Sequence, residues 1–354
     1  MSSTGIAAAL HAIVDECRNL SESEAVAAME DLMAGPPADA AAGGATPAQA
    51  AAFLTALRLK GETVHELVGF AKVMRYRSMH VDLGDGFARI ADTCGTGGDA
   101  KGTFNVSTAA AFVVAGCGVP VAKHGNRAMS SACGSADVLE ALGARLDLSP
   151  AAVAATIRDV GVGFMFAQTF HPAMKHVAPV RRELGFRTVF NLLGPLTNPA
   201  GARHQLIGVG SPEVGDKIAD ALNRLDATHA LVVHGLEGLD EVSPSGPTQV
   251  WELHDGRIRE YRVQPSDFYI REVSLDSVKG GDAAANAVAM RSVLGGHGGA
   301  LHGFVALNAA AALLAADEAP TFAEGVSRAV ECIDDGRALR KLERFVEATQ
   351  AAAS

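Results

Sequence analysis

Cysteine is sparse in this chain and carries no pattern. Cys17, Cys94, Cys117, Cys133 and Cys332 are odd in number and include no Cys-x-x-Cys pair. A disulfide framework or a cysteine-held metal is therefore not expected, and a reducing, cytoplasmic setting is. Aromatic residues make up only 5% of the 354 residues, so a core has to be built from Ala, Val, Leu and Ile. Positive charge is in deficit: 30 Lys and Arg against 40 Asp and Glu leave a formal net charge of −10. That balance argues against a nucleic-acid binder. It also means that an anionic substrate must be held by local positive groups. No apolar run reaches the ~18 residues of a membrane span. Met1 to Leu20 carries Asp15 and Glu16 where a secretory leader would be basic, so no leader is expected.

What the chain does have is apolar bulk, 48% of residues, and 38 glycines gathered in clusters. The bulk suffices for a large core and a second, smaller unit. The first ~80 residues read as helices. Ile6, Leu10, Ile13 and Val14 recur at helical spacing, Ser21 with Glu24 forms a capping-box signature, and Thr46-Pro47 opens a further helix. Pro36 to Thr46, mostly Pro, Ala and Gly, reads as a flexible connection. After Gly84 the rhythm changes to strand, loop, helix, strand. Strands are expected at 89–93, 119–123, 206–209 and 230–234, helices at 107–116 and 136–142, and a hairpin around Asp255-Gly256. This alternation predicts an α/β fold with a mostly parallel sheet. His171 to Leu193 reads as helical and is expected to pack with the N-terminal helices. Leu307 to Ala316 reads as a buried helix, and Thr321 to Ala352 as helical.

Two loops carry the chemical signal. The first runs Asp92-Thr-Cys-Gly-Thr-Gly-Gly-Asp99 and continues through Thr103, Asn105 and Val106 to Ser107-Thr108, which open an apolar helix. Glycines at 95, 97 and 98 let backbone N–H groups approach a ligand, and the start of a helix offers free donors suited to phosphate. The pattern is neither a Walker loop, which ends in Gly-Lys-Ser/Thr, nor a dinucleotide fingerprint, whose glycines are wider apart. The second loop, Lys123-His-Gly-Asn-Arg-Ala-Met-Ser-Ser131, follows the next strand. In parallel sheets ligands lie beyond the carboxyl ends of strands, so the two loops are expected to converge. Lys123 and Arg127 bring charge for phosphate oxygens. Further along, Asp240-Glu241 sits in a Gly-containing loop and offers hard oxygen ligands of the kind magnesium takes. An Asp-Glu pair is more often a charged surface turn. His171 with His176, and His297 with His302, lack the i, i+4 spacing and acidic partners of a zinc site.

Taken together, Gly95-Thr-Gly-Gly-Asp99, Asn105-Val-Ser-Thr108, Lys123-His-Gly-Asn-Arg127, Arg181-Arg-Glu-Leu-Gly185, the long string Phe190 to Pro199, and Asp240-Glu241-Val242-Ser243 resemble the anthranilate phosphoribosyltransferases. The resemblance covers nearly the whole chain. It implies a small helical domain, 1–84 with about 171–198, and a larger α/β domain, 85–170 and 199–354. It implies a homodimer formed through the helical domain. It assigns phosphoribosyl pyrophosphate to Gly95, Gly98, Asp99, Thr103, Asn105, Val106, Ser107, Thr108, Lys123, His124, Gly125, Asn126, Arg127, Ala128, Met129, Ser130, Ser131 and Ser135. Anthranilate falls to Gly95, Asn126 and Arg181, and magnesium to Ser107, Asp240 and Glu241. Three stretches depart from the family pattern. Pro36 to Ala45 looks inserted, Ala128-Met129 replaces a commoner Ser-Val, and Ala132-Cys133 stands where Lys and Ser are usual.

The implied reaction is displacement of pyrophosphate from the anomeric carbon of ribose by an aromatic amine. Such a reaction needs leaving-group stabilisation and positioning more than a base. His124 is a candidate base by position only, and a loop-ordering hydrogen bond would account for it equally. Two other readings stay open on sequence. One is a pyrimidine nucleoside phosphorylase of the same architecture. The other is a non-enzymatic nucleic-acid-binding relative, which should show a basic stripe and a damaged acid loop.

Overall fold

The computed structural model describes residues 5–36, 43–128 and 132–352. Four helices come first: α1 (Ile6–Val14), α2 (Glu22–Ala34), α3 (Pro47–Lys60) and α4 (Val64–Tyr76). Next are β1 (Ala91–Gly95), α5 (Val106–Gly116), β2 (Val121–Gly125), α6 (Ser135–Ala141), α7 (Pro150–Val160) and β3 (Val162–Phe166). A broken stretch holds α8 (Ala167–Phe170), a 3-10 turn at Pro172–His176, α9 (Ala178–Leu184) and α10 (Phe190–Leu193). The sheet resumes with β4 (His204–Gly208), α11 (Pro212–Arg224), β5 (His229–Gly235), β6 (Thr248–His254) and β7 (Arg257–Val263). Helices α12 (Ala283–Leu294), α13 (Ala300–Ala315), α14 (Phe322–Asp334) and α15 (Arg337–Ala352) follow. Among the described residues no helix is long and apolar enough to cross a membrane.

The chain divides into two compact units, Met1–Met79 with Gln168–Thr197, and His80–Ala167 with Asn198–Ser354. In the first, α2, α3 and α4 each begin in a capping box, with Ser21/Glu24, Thr46/Gln49 and Thr63/Glu66 exchanging side-chain and backbone bonds. Glu66 does more than cap. Its carboxylate is fully buried, yet it accepts from Leu20 N at 2.9 Å and Thr63 N at 2.8 Å and pairs with Lys60 at 2.9 Å. Gly69 admits α2 closely, since a Cβ there would meet the Glu22 carbonyl at 2.7 Å. Residues 168–197 are less regular than the continuous helix expected over 171–193. Pro172 and Pro179 withdraw N–H groups, and Gly185, with φ 68°, ends α9. The Pro36 to Ala45 insertion falls largely at 37–42, outside the described residues.

In the second unit a seven-stranded sheet runs β3-β2-β1-β4-β5-β6-β7, parallel through β5 and antiparallel at β6 and β7. The chain steps outward from β1 to β2 and β3, then returns to the other side of β1 with β4. The β1/β4 boundary is therefore the topological switch point, where such sheets bind ligands. Strands β1, β2, β4 and β5 all end in glycine, at 95, 125, 208 and 235. The hairpin turns at Asp255-Gly256 as its sequence predicts. With aromatics scarce, α5 and α13 bury alanines throughout, and Gly325 lets α14 approach the Ala310 backbone within 2.9 Å of where a Cβ would stand.

Candidate active site at the carboxyl ends of the strands

The β1–α5 loop lies at the switch point. Gly97 and Gly98 have φ of 65° and 79°, and even Ala100 is forced to 57°. This left-handed run keeps backbone N–H groups clear of side chains before α5 begins. Asp99 Oδ1 accepts from Lys101 N at 3.0 Å, while its buried Oδ2 has no hydrogen-bond partner among the described residues. The buried Thr108 hydroxyl on the first turn of α5 is likewise unpartnered. Helix α5 starts at Val106 behind Asn105, whose side chain makes no capping bond and instead donates to Cys133 O at 3.1 Å.

Lys123, near the end of β2, is buried and reaches across to the first loop. Its ammonium donates to Thr93 O and to Ser107 Oγ at 3.4 Å. Burial lowers its pKa, opposed by Asp92, Cys94 and Glu241. Asp92 stands behind it, fully buried, accepting from His124 N at 3.2 Å and from Asn198 Nδ2 at 2.8 Å. Burial raises the pKa of Asp92, and Lys123 and Asn198 oppose that rise. The β2–α6 loop folds onto the start of α6. Ser135 Oγ donates to Asn126 O at 3.1 Å, and Asp137 accepts from Ala128 N at 3.0 Å and Gly134 N at 2.9 Å. Arg127 is turned toward the same helix. It forms a fork with Glu140 at 2.6 and 2.7 Å and meets Asp137 at 3.1 Å. Met129, Ser130 and Ser131 lie outside the described residues.

The acid pair closes the site from β5. The Asp240 carbonyl sits where a side chain at Gly208 would be, and a Cβ on Gly95 would come within 3.4 Å of Asp240 Oδ2. Glu241 is held well above the usual carboxylate range by burial, then by Asp240 and Asp99, with Lys123 the opposing charge. Asp99, Lys123 and Glu241 thus share one electrostatic neighbourhood. Behind the pair, Asn308 of α13 accepts from Val242 N at 2.9 Å and donates to Val242 O at 3.1 Å. Glu237 takes the hydroxyls of Ser243 at 2.5 Å and Ser245 at 2.9 Å. In the helical unit Arg181 lies over the Phe190 ring at 5.2 Å and is 3.5 Å from Asn191 Oδ1. Burial lowers its pKa, and among the described residues no carboxylate pairs with it.

Two independent likenesses decide what such a site belongs to. Residues 88–339 match the glycosyl transferase family a/b domain, and residues 7–78 match that family's helical bundle domain. The anthranilate phosphoribosyltransferase of Dehalococcoides mccartyi is 52% identical over 339 residues, 95% of this chain and 96% of that protein. That of Rubrobacter xylanophilus is 54% identical over 332 residues, 94% of each. The chain belongs to the anthranilate phosphoribosyltransferase family. A crystal structure of the Thermus thermophilus anthranilate phosphoribosyltransferase superposes with a TM-score of 0.89 at 45% identity, covering 97% of this chain and 99% of that one. The Saccharomyces cerevisiae anthranilate phosphoribosyltransferase in complex with PRPP and Mg superposes with a TM-score of 0.88 at 29% identity, covering 98% of each. Family membership sets aside the phosphorylase and nucleic-acid-binding readings.

Several supports of this phosphoribosyltransferase site escaped the sequence reading. Asn286 of α12 donates to Asn105 Oδ1 at 2.9 Å and accepts from Gly281 N at 2.7 Å, while Gly280 N bonds Gly102 O at 2.9 Å. The segment 278–286 therefore braces the first loop. Asn308 left one trace, a lone amide in the apolar run from Phe304 to Ala316. Asp92 and Asn198 stood inside the quoted motifs with no role assigned to them, and Asn286 left no trace.

Proposed function

We propose that the loops after β1 and β2 hold phosphoribosyl pyrophosphate, and that Arg181 and Asn126 meet anthranilate. Through these residues the chain, as an anthranilate phosphoribosyltransferase, joins the anthranilate amine to the ribose anomeric carbon and releases pyrophosphate. The observation that carries this reading is the gathering of Asp99, Glu241, Asp240 and Lys123 at the switch point. The donor set also suits magnesium. It consists of hard oxygens, carries an excess of negative charge, and includes a buried Asp99 oxygen with no partner among the described residues. Ser107, Asp240 and Glu241 would hold the ion, which when bound supplies charge neutralisation to the diphosphate.

The protein's own groups act on position and charge. Lys123 directs a buried ammonium toward the first turn of α5, where the Ser107 and Thr108 hydroxyls and the free N–H groups of the helix meet phosphate oxygens. Gly95, Gly98, Thr103, Asn105 and Val106 line that approach with backbone and short side chains. His124, Gly125, Asn126, Ala128 and Ser135 form the second wall. Arg127, forked onto Glu140, orders this wall in the conformation seen. As the bond to pyrophosphate lengthens, negative charge gathers on the leaving oxygens, where these donors are already aimed. The amine attacks as its free form, and no residue is assigned as general base.

Support for a homodimer through the helical unit comes from its exposed apolar side chains, Val14, Leu59 and Tyr76. Five free cysteines fit a cytoplasmic setting. The decisive experiment mixes anthranilate, phosphoribosyl pyrophosphate and magnesium and follows loss of anthranilate fluorescence. Loss that stops when the metal is withheld is the expected result. Stable fluorescence with all three present overturns the reading.

A further inference from the structure

Two cysteines outside the site lie side by side where α5 ends against α14. Each sulfur reaches for the partner helix one turn before the partner cysteine. Cys117 Sγ contacts Arg328 O at 3.6 Å, and Cys332 Sγ contacts Val113 O at 3.5 Å. The two side chains are neighbours, and their interaction draws the Cys117 thiol down and pushes the Cys332 thiol up. Gly116 makes the approach possible, because the Cys332 sulfur fills the space a side chain at 116 would take. The thiols are not equivalent. Cys117 is partly exposed, with the guanidinium groups of Arg337 and Arg328 nearby, whereas Cys332 is wholly buried.

We propose that Cys117 and Cys332 form an oxidation site, in which a hydroperoxide converts the thiol pair to a disulfide joining α5 to α14. The chemistry divides between the two sulfurs. The Cys117 sulfur attacks the outer peroxide oxygen, the O–O bond breaks, and water leaves when the oxidant is hydrogen peroxide. Cys117 is then a sulfenic acid. The Cys332 sulfur attacks the Cys117 sulfur, the S–O bond breaks, and a second water departs carrying the remaining thiol proton. Two thiols and one peroxide thus give one disulfide and two waters, with two electrons passing from sulfur to oxygen. The neighbouring Cys332 thiol and the nearby arginines favour the Cys117 thiolate, the nucleophile of the first step. Burial of Cys332 reserves it for the second step, which needs no solvent access. Cys94 is part-buried beside Asp92, a setting that opposes its thiolate, and Cys133 is buried.

The test uses the full-length protein, treated with a small excess of hydrogen peroxide that is then removed, after which the chain is denatured, alkylated and digested with trypsin. The expected result is loss of two of the five alkylatable thiols. The peptides Gly102–Lys123 and Ala329–Arg337 should appear joined, lighter by two hydrogens than their sum, and should separate on reduction. Cys117→Ser, at the more exposed position, should leave Cys332 alkylatable under the same treatment. Sulfinic acid at Cys117 with Cys332 still free overturns the proposal. So does survival of both thiols under peroxide that has consumed the exposed Cys17.

Discussion

At the carboxyl ends of β1, β2, β4 and β5 the acids Asp99, Asp240 and Glu241 gather near Lys123, and two polar oxygens of that neighbourhood have no partner among the described residues. At the opposite ends of β4 and β5 the charges are matched. His229 lies between Asp317, at 2.6 Å, and Glu252, at 3.2 Å, with Arg259 on Glu252 at 3.1 Å and the His254 ring stacked 4.1 Å away. His204 borders the same group, 3.9 Å from Asp317. Both clusters are built on the same strands, so sheet geometry does not explain the contrast. The matched cluster ties Asp317, just after α13, to β4, β5 and β6. The unmatched one leaves polar capacity for something that arrives later, at a cost in stability that the rest of the fold covers.

Four measurements can break or sharpen this contrast. Glu241→Gln should lower kcat/KM by roughly a hundredfold or more, the scale on which losing preorganised charge stabilisation acts. Its melting temperature should hold or rise, because a buried like-charge repulsion is removed. A large drop in stability with near-native activity would place Glu241 in the structural class. Gly208→Ala should reduce activity almost as far by a different route, since its methyl overlaps the Asp240 carbonyl and must push the acid loop away. Circular dichroism should still report a folded chain.

His229→Ala should behave in the opposite sense. Removing one partner of a buried, hydrogen-bonded charge group costs about 3 kcal/mol, reduced here because Asp317 is 37% exposed. The loss should appear in denaturant midpoints, with activity intact well below melting. The pH dependence has a matching sign. Burial works against charge on His229, but the hydrogen bonds it donates to Glu252 and Asp317 outweigh it and raise its pKa. The stability it contributes is therefore full below the unfolded value near 6.5 and fades as pH climbs through the raised folded value. Glu252 is held down at about 2, chiefly by His229. Its contribution is full above the unfolded carboxylate value and disappears as pH falls toward 2. Midpoints measured across this range should show both slopes, and His229→Ala should flatten them. A variant with unchanged slopes would mean other groups carry the effect.

Arg181 extends the comparison to the helical unit, as a part-buried cation without an acid among the described residues. Arg181→Ala should raise the KM for anthranilate by roughly ten-fold, the scale of one charge-assisted hydrogen bond, with less effect on the donor. Unchanged steady-state kinetics would remove it from the site.

Legibility from sequence follows the range of the interactions. The two loops and the acid pair are contiguous motifs, and each could be read from neighbours. Strand limits slipped by about two residues, because Gly95 and Gly125 read as loop while the parallel ladders carry both as strand. Strand β3 passed unread. Val162 to Phe166 is a short apolar run without alternation, and only pairing with β2 makes it a strand. Asn286 and Asn308 act on residues 181 and 66 positions away, and His229 meets an aspartate 88 positions away. Such partners are created by topology.

The four terminal glycines have a consequence for redesign. A Cβ at 95, 125, 208 or 235 would press on or collide with Gly208 O, Ser135 Oγ, Asp240 O or the Glu237 carboxylate. At these four strand ends the site is thus bounded by main chain, with no side chain to exchange. Altered donor selectivity must therefore be sought in side chains of the wall, at positions such as 126–128, and not at Gly134, where a Cβ would collide with the Ala128 N–H.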